Sequence, residues 1–482
     1  MITLFEDQAD IVSRTRKSMG TNRRILIQAE TGSGKSVVAS YMIQSALSKG
    51  HACAFVVPRK ELLRQMSETF GEFKINHSFV AAGKPFNPYS KAHICTVGTL
   101  VNRLDGINPK IIFIDESHHG NSQLDTIIRY YSERGAWIVG LTATPDNKHL
   151  HKWYQDMVCG PTIKELILRK RLSDFRYFAP STPDLSGIKT VAGEYAHGQL
   201  DQFMREQRVL IGDAVRHYRE HAMGRLNMTF CTSIQHSEMV SAEFRNAGIP
   251  SVHMDGNTPE DQRRRIARAF ATREILNITS VDLLLFGYDL ASASGIKTAC
   301  VESMSDLRPT KSRNVQRQKI GRVLRYKEFP ALIFDHAGNH INHDLPDSDV
   351  KWSLVAPDIK ESKGGSSIPT RQCKKCYFVH RPAPKCPECG YVYEVKGREI
   401  DHVDGELVEL DRESQRKKDM RKSAKDIAND ILYSDNPNLA KNDLDSLNYL
   451  IAKFKKEGHK NPAAKAAHML AARLAKKQMK ES

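Results

Sequence analysis

The stretch Ile25-Leu26-Ile27-Gln28-Ala29-Glu30-Thr31-Gly32-Ser33-Gly34-Lys35-Ser36 constrains this chain more than any other. An apolar run feeds a glycine-punctuated loop and then the start of a helix, which is the build of a phosphate-binding loop. Glycines 32 and 34 let backbone N–H groups turn inward around phosphates, with Thr31 and Ser33 completing the cradle. Lys35 is placed to reach the β and γ oxygens, and the Ser36 hydroxyl to hold Mg²⁺ at the first turn of the helix. Ala29 stands where the general pattern has glycine. Taken alone, the segment also reads as a Gly/Ser turn between a strand and a helix.

A second apolar strand, Ile111-Ile112-Phe113-Ile114, ends in Asp115-Glu116-Ser117-His118. Four apolar residues in a row suit a strand covered on both faces of a parallel sheet, whose C-terminal edge is where ligands bind. Asp115 is expected to hold Mg²⁺, and Glu116 to orient and deprotonate the attacking water. The alternative is an acidic pair that merely caps the turn after the strand.

At this point the sequence resembles the DEAH-type box of the superfamily 2 helicases, with Ser117 in the third place, and the rest of that family's motif series follows in order. Phe5 and Gln8 resemble the adenine-reading element, a glutamine amide being able to pair with an adenine edge. Val57-Pro58-Arg59-Lys60-Glu61, Thr96-Val97-Gly98-Thr99 and Thr142-Ala143-Thr144 resemble motifs Ia, Ib and III. Phe230-Cys231-Thr232-Ser233 resembles motif IV, and Asp282 to Asp289, with Gly287, resembles motif V. Phe286 departs from the acidic residue that many relatives carry before that glycine. Gln318-Lys319-Ile320-Gly321-Arg322-Val323-Leu324-Arg325 matches motif VI, QxxGRxxR.

The resemblance implies two tandem RecA-like parallel-sheet domains, residues 1–160 and 165–345, with the nucleotide cleft between them. Lys35, Asp115, Glu116, Gln318, Arg322 and Arg325 would carry catalysis, with Arg325 as the first choice for an arginine finger and Arg322 sharing the γ-phosphate. Phe5, Gln8, Gly287 and Asp289 would join the phosphate loop in binding ATP. Arg59, Gly98 and Thr99 from the first half, with Thr232, Ser233 and Ser280 from the second, would grip a nucleic-acid backbone without strong sequence preference.

The formal charge of +16 over 482 residues favours a polyanionic partner, and no apolar run is long enough to span a bilayer. A cytoplasmic protein is expected, in the host cytoplasm if phage-encoded. Of nine cysteines, Cys53, Cys95, Cys159, Cys231 and Cys300 are scattered and read as core hydrophobes. Cys373-Lys374-Lys375-Cys376 and Cys386-Pro387-Glu388-Cys389 form two knuckles that suit one structural Zn²⁺ in a ribbon at 371–395, a redox dithiol pair being the alternative.

Between core and ribbon, 346–370 reads as a linker, flexible around Glu361–Ser367. The tail, 396–482, is charged, and its last third suits a basic helix with Ala463, Ala467, Leu470 and Leu474 as an apolar stripe. The combination most resembles the RadD-type helicases of bacteria and phages. That implies an ATP-dependent helicase acting on DNA rather than RNA in repair, recombination or replication, with a single-strand-binding or other replication protein as partner. An RNA helicase of the same fold, or an ATP-regulated binding or annealing protein, stays open.

Overall fold

The computed structural model describes residues 3–145, 147, 150–180, 182–191, 193–283, 290–354, 369–393, 441–457, 461–463 and 465–470. The chain divides into two compact units, Met1–Glu394 and Val395–Ser482.

The first lobe of the larger unit runs α1 (Glu6–Met19), β1 (Arg24–Gln28), α2 (Lys35–Ser48), β2 (Cys53–Val57), α3 (Glu61–Glu72), β3 (Ser78–Val80), β4 (Ala92–Thr96), α4 (Val97–Leu100), β5 (Ile111–Ile114), α5 (Ser122–Glu133), β6 (Trp137–Thr142), α6 (Leu150–Trp153) and β7 (Asp156–Cys159). Its seven strands are parallel in the order β3-β4-β2-β5-β6-β1-β7. Side chains alternate across a strand, so Ile25 and Ile27 enter the core on one face and Leu26 the core on the other. Both faces are therefore apolar, which is why these strands read as unbroken hydrophobic runs.

The second lobe runs α7 (Ile163–Leu168), which buries Ile163 and Leu166 in its core, β8 (Phe175–Phe178), β9 (Thr190–Val191), β10 (Glu194–Tyr195), α8 (His197–Glu206), α9 (Arg208–His221), β11 (Asn227–Phe230), α10 (Ile234–Asn246), β12 (Ser251–His253), α11 (Glu260–Ala271), β13 (Asn277–Ser280), α12 (Leu290–Ser294), β14 (Ser303–Asp306), α13 (Arg313–Val323), β15 (Ala331–Asp335) and α14 (Asn339–His343). Six parallel strands order as β12-β13-β11-β14-β15-β8, and β9 and β10 form a separate hairpin. β15 sends Ile333 to one core and Leu332 and Phe334 to the other. The expected pair of two-faced α/β domains is what the chain builds.

Two further segments fix the larger unit. The four-cysteine region carries β16 (Arg371–Gln372) and β17 (Val379–His380), and Phe378 bridges antiparallel to Phe178 on the edge strand β8. Ala179 N donates to Tyr377 O at 3.0 Å, and Arg176 Nε to Glu388 at 3.1 Å. Docking there covers an otherwise open sheet edge. The stretch expected to be linker from 346 starts as packed chain: Asp347 pairs with Arg381 at 3.0 Å, Trp352 lies under Arg317, and Leu354 packs on the first lobe's core. The linker reading came from the polar, glycine-rich Glu361–Ser367, which lie outside the described residues.

In the smaller unit, α15 (Lys441–Lys456) buries Phe454, over which Lys465 Nζ sits at 4.9 Å from the ring centre. Ala467 and Leu470 of the expected stripe are buried, and Leu474 lies outside the described residues. Among the described residues, no helix is long and apolar enough to cross a membrane.

Candidate functional site

The phosphate loop forms where β1 ends. Gly32 and Gly34 take φ of +87° and +91°, left-handed values that favour glycine, and Gly34 caps the start of α2. A Cβ on Gly34 would lie 2.4 Å from Gln8 Nε2, so a side chain there would displace the Gln8 amide from the loop. Gln8 frames the loop with both ends of its amide: Nε2 donates to Ser33 O at 3.0 Å and Oε1 accepts from Phe5 N at 3.2 Å. Lys35 Nζ donates to Ala29 O at 3.1 Å, folding the ammonium back over the loop; Thr31 and Ser36 lie half-buried beside it.

The acids follow β5. Glu116 holds φ +47°, a costly conformation for a residue with a Cβ, and its N–H donates to Asp115 Oδ1 at 3.0 Å. Burial and the neighbouring Glu116 charge push the Asp115 carboxyl up to about 7, against the pull of Lys35 and Arg322. Glu116 goes the other way: burial penalises its charge, but His118, Lys35 and Arg322 together hold it below the usual range. Two adjacent carboxyls are thus driven apart, one favouring its proton and one ionised, a division that suits separate roles.

Burial takes His118 down to about 4, so its imidazole is neutral at pH 7. It bonds Thr142 Oγ1 through Nδ1 at 2.9 Å and stands 3.5 Å from Gln318 Nε2. Glu116 Oε2 is buried with no hydrogen-bond partner, an acceptor held ready inside the cleft.

The second lobe meets this site through α13, capped by Ser312. A Cβ on Gly321 would lie 2.4 Å from Thr31, so only glycine lets the helix rest against the phosphate loop. One turn of that contact aims Gln318 at His118 and brings the Arg322 guanidinium close enough for its charge to bear on both acids. Arg325 stands apart. Its backbone bridges to Leu172, its carbonyl accepts from Ser173 Oγ at 2.9 Å, and its charge is felt at Cys300.

The sequence reading ranked Arg325 above Arg322; the geometry favours Arg322, which sits in the last turn of α13 and whose charge bears on both acids, whereas Arg325 lies beyond the helix end with its backbone tied to Leu172 and Ser173. Arg317, one residue before motif VI, makes a 3.0 Å ion pair with buried Glu30 across the lobes. Glu30 in turn accepts from Gln28 Nε2 at 3.3 Å.

The positions expected to grip nucleic acid divide. Arg59 and Gly98 are exposed and Thr99 is half-buried, accepting from Thr96 Oγ1 at 3.0 Å. Ser233 caps α10. Thr232 and Ser280 are buried, and Thr232 Oγ1 is already engaged with Asp201 and His236, so these hydroxyls do not face the surface. Gly287 and Asp289 lie outside the described residues. A cleft of about 760 Å³ lies between α3 and α11, lined by Arg59, Lys60, Arg64, Lys84, Arg263 and Arg264. The run Gln262-Arg263-Arg264-Arg265 was the sequence signal for its far wall.

Cys373, Cys376, Cys386 and Cys389 place all four sulfurs within 4.8 Å of one another, with Sγ–Sγ distances of 3.7 Å for Cys373–Cys389 and Cys376–Cys386. A tetrahedral Zn²⁺ with bonds of about 2.3 Å needs sulfur edges of about 3.8 Å, so the cluster fits that ion. Cys53, Cys95 and Cys231 are buried free thiols and Cys159 and Cys300 half-buried ones.

Comparison with known proteins agrees with this geometry. Residues 1–147 match the family described as type III restriction enzyme, res subunit, and residues 210–327 the helicase conserved C-terminal domain. A 51.5 kDa protein of a Lactococcus phage (isolate 7-9) is 30% identical over 408 residues, covering 81% of this chain and 85% of the phage protein. Among solved structures, a fragment of a putative HsdR subunit of a type I restriction enzyme from Vibrio vulnificus YJ016 superposes with a TM-score of 0.56 at 17% identity, over 70% of this chain and 65% of that one. The type ISP restriction-modification enzyme LlaBIII bound to DNA gives 0.51 at 15% identity, over 69% of this chain and 27% of that one. At such identities the two structures share the fold, and this chain spans only part of their length.

Proposed function

Because the chain belongs to the superfamily 2 helicases and is an ATP-hydrolysing helicase, we propose that it moves along DNA, with Glu116 activating water, Lys35 on the β and γ phosphates and Arg322 as the arginine finger. The observation that carries this assignment is that the Arg322 guanidinium, from one lobe, bears electrostatically on Asp115 and Glu116 of the other, as the Lys35 ammonium does. A planar, permanently charged guanidinium neutralises charge developing on a phosphate that the opposite lobe holds. Hydrolysis removes that shared phosphate and with it the attraction that shuts the cleft.

Glu116 Oε2, lacking a donor, is the oxygen that takes the water's proton. Gln318, beside neutral His118, follows the state of that water or phosphate. The hard oxygen donors of Asp115 and Ser36 suit Mg²⁺, which supplies neutralisation of the phosphate oxygens when bound. Phe5 and Gln8 stand at the base end of the loop.

DNA is favoured by three features together: the charge of +16, the basic cleft between α3 and α11, and the fold shared with an enzyme bound to DNA. The resemblance to RadD-type helicases supports a role in repair, recombination or replication, with a single-strand-binding or other replication protein as a partner. The four thiolates hold a closed, structural Zn²⁺, since no ligand position is left for water.

The test is ATP hydrolysis by the wild type, Glu116→Gln, Arg322→Ala and Arg325→Ala with no nucleic acid, single-stranded DNA, duplex DNA, forked DNA or RNA. DNA should stimulate the wild type. Glu116→Gln should lose at least about a hundredfold, and Arg322→Ala on the order of a thousandfold against less than about tenfold for Arg325→Ala. Stimulation by RNA alone makes it an RNA helicase; stimulation by none of them leaves a binding or annealing protein. A larger loss in Arg325→Ala than in Arg322→Ala returns the finger to Arg325.

A further inference from the structure

Arg171 lies outside every motif that the sequence announces, in the short segment between α7 and β8. Its guanidinium nonetheless sits 3.3 Å from the centre of the Phe5 ring. Its Nε is 3.9 Å from the Asp7 carboxylate, and its Nη2 is 3.5 Å from Ser33 O in the phosphate loop. The next residue belongs to the other half of the molecule: Leu172 is buried in the second lobe's core and bridges to Arg325. A Cβ on Gly32 would lie 3.1 Å from Leu172 Cδ2, so this segment presses directly on the loop. One residue anchored in the second lobe therefore grasps the base end of the first lobe's nucleotide site.

The grasp is incomplete in itself. Phe5 is 59% exposed, although its ring is the natural platform for a base. Asp7 Oδ2 and Arg171 Nε are both buried without a hydrogen-bond partner. Gln8, the expected base reader, has both ends of its amide committed to Ser33 O and Phe5 N, so it frames the pocket and leaves stacking to its neighbours. A guanidinium stacks on aromatic carbocycles and heterocycles alike, and a purine entering over that face of Phe5 must pass between ring and cation. The long arginine side chain accommodates the added thickness of about 3.5 Å by swinging outward, which keeps the stack intact.

We propose that Arg171 is the second wall of a purine-base site, the adenine ring being held between Phe5 and the Arg171 guanidinium, so that the base as well as the triphosphate draws the two lobes together. This rests on the reading of the loop as an ATP site. It makes nucleotide preference a property of the interface between lobes, and it gives a segment with no motif a binding role.

Calorimetric titration of ADP, CDP and pyrophosphate, each with Mg²⁺, into the full chain and its Arg171→Ala and Arg171→Lys variants tests the proposal without turnover. The wild type should bind ADP more tightly than CDP or pyrophosphate. Arg171→Ala should weaken ADP by about tenfold, narrow its lead over CDP, and leave pyrophosphate within about twofold. Arg171→Lys keeps the charge but not the plane and should fall with the alanine variant; it decides the matter if alanine impairs folding. Equal weakening of ADP and pyrophosphate, unchanged binding of both, or full rescue by lysine overturns the stacking role. A wild type that binds pyrophosphate as well as ADP has no base site, whereas one that binds none of the three refutes the nucleotide reading itself.

Discussion

Asp115 has the sharpest individual signature in the cleft. Its native pKa is raised from 3.8 to about 7, mainly by burial and then by the Glu116 charge. A carboxyl raised on folding binds its proton more tightly in the native chain than in the unfolded one. Native stability is therefore favoured at low pH and declines as pH rises from about 4 to about 7, where the buried group is forced to ionise. A cation bound at Asp115 competes with that same proton. The Mg²⁺ concentration for half-maximal ATP hydrolysis should accordingly be about tenfold higher at pH 6 than at pH 8. Without Mg²⁺, Asp115→Asn should flatten the fall in Tm over the same range. Equal Mg²⁺ requirements at both pH values would remove the ionised carboxylate from the metal site.

The residues that do local chemistry were legible in the sequence because loop, acid pair and cysteine knuckles each keep their parts within a few positions. Arg171, Arg317 and the burial of Thr232 and Ser280 were not. Each depends on which surface the opposite lobe, or the next strand, presents after folding, and no spacing along the chain encodes that.

At the level of elements, α13 and β8 matter most. The helix owes its reach into the cleft to Gly321 against the Thr31 side chain, a close approach that the motif pattern QxxGRxxR reflects without explaining. β8 owes its cover to the cysteine module, which adds Val379 to the second lobe's core and ring contacts between Phe378 and Phe178 at 5.4 Å. The module was readable from its cysteines, but its attachment was not, since the bridging residues lie about 200 positions apart by sequence.

Because the module is part of the lobe's packing, stripping metal with a strong chelator should lower the Tm of the whole second lobe and make the chain cleavable between β8 and α8. A separate finger would simply unfold alone. Loss of one zinc per chain with unchanged melting and proteolysis would rule out the structural coupling.

For the whole molecule, the basic cleft between α3 and α11 sets the expected response to salt. Phosphate contacts release counterions, so DNA affinity should fall steeply and log-linearly with salt, by at least about a hundredfold between 50 and 200 mM if five or more phosphates are neutralised. Arg263→Ala and Arg264→Ala together should reduce the slope of that plot. A slope near zero would indicate that the cleft does not carry the strand. The two-lobed plan itself was plain from the order of strands and motifs, while the stretch from 346 was read as linker although Trp352 and Leu354 anchor its start.

Those two residues alter the mechanics. The lobes are joined once through the segment between β7 and α7, and the chain then returns from the second lobe to lay Leu354 on the first. It reaches the second lobe again at the cysteine module, docked on β8. A door hung at two points swings but does not lift from its frame. With the chain attached across the cleft a second time, pure separation of the halves is resisted. Whatever opening follows hydrolysis is then limited to what both attachments allow, a restraint that comes from the way the chain is threaded.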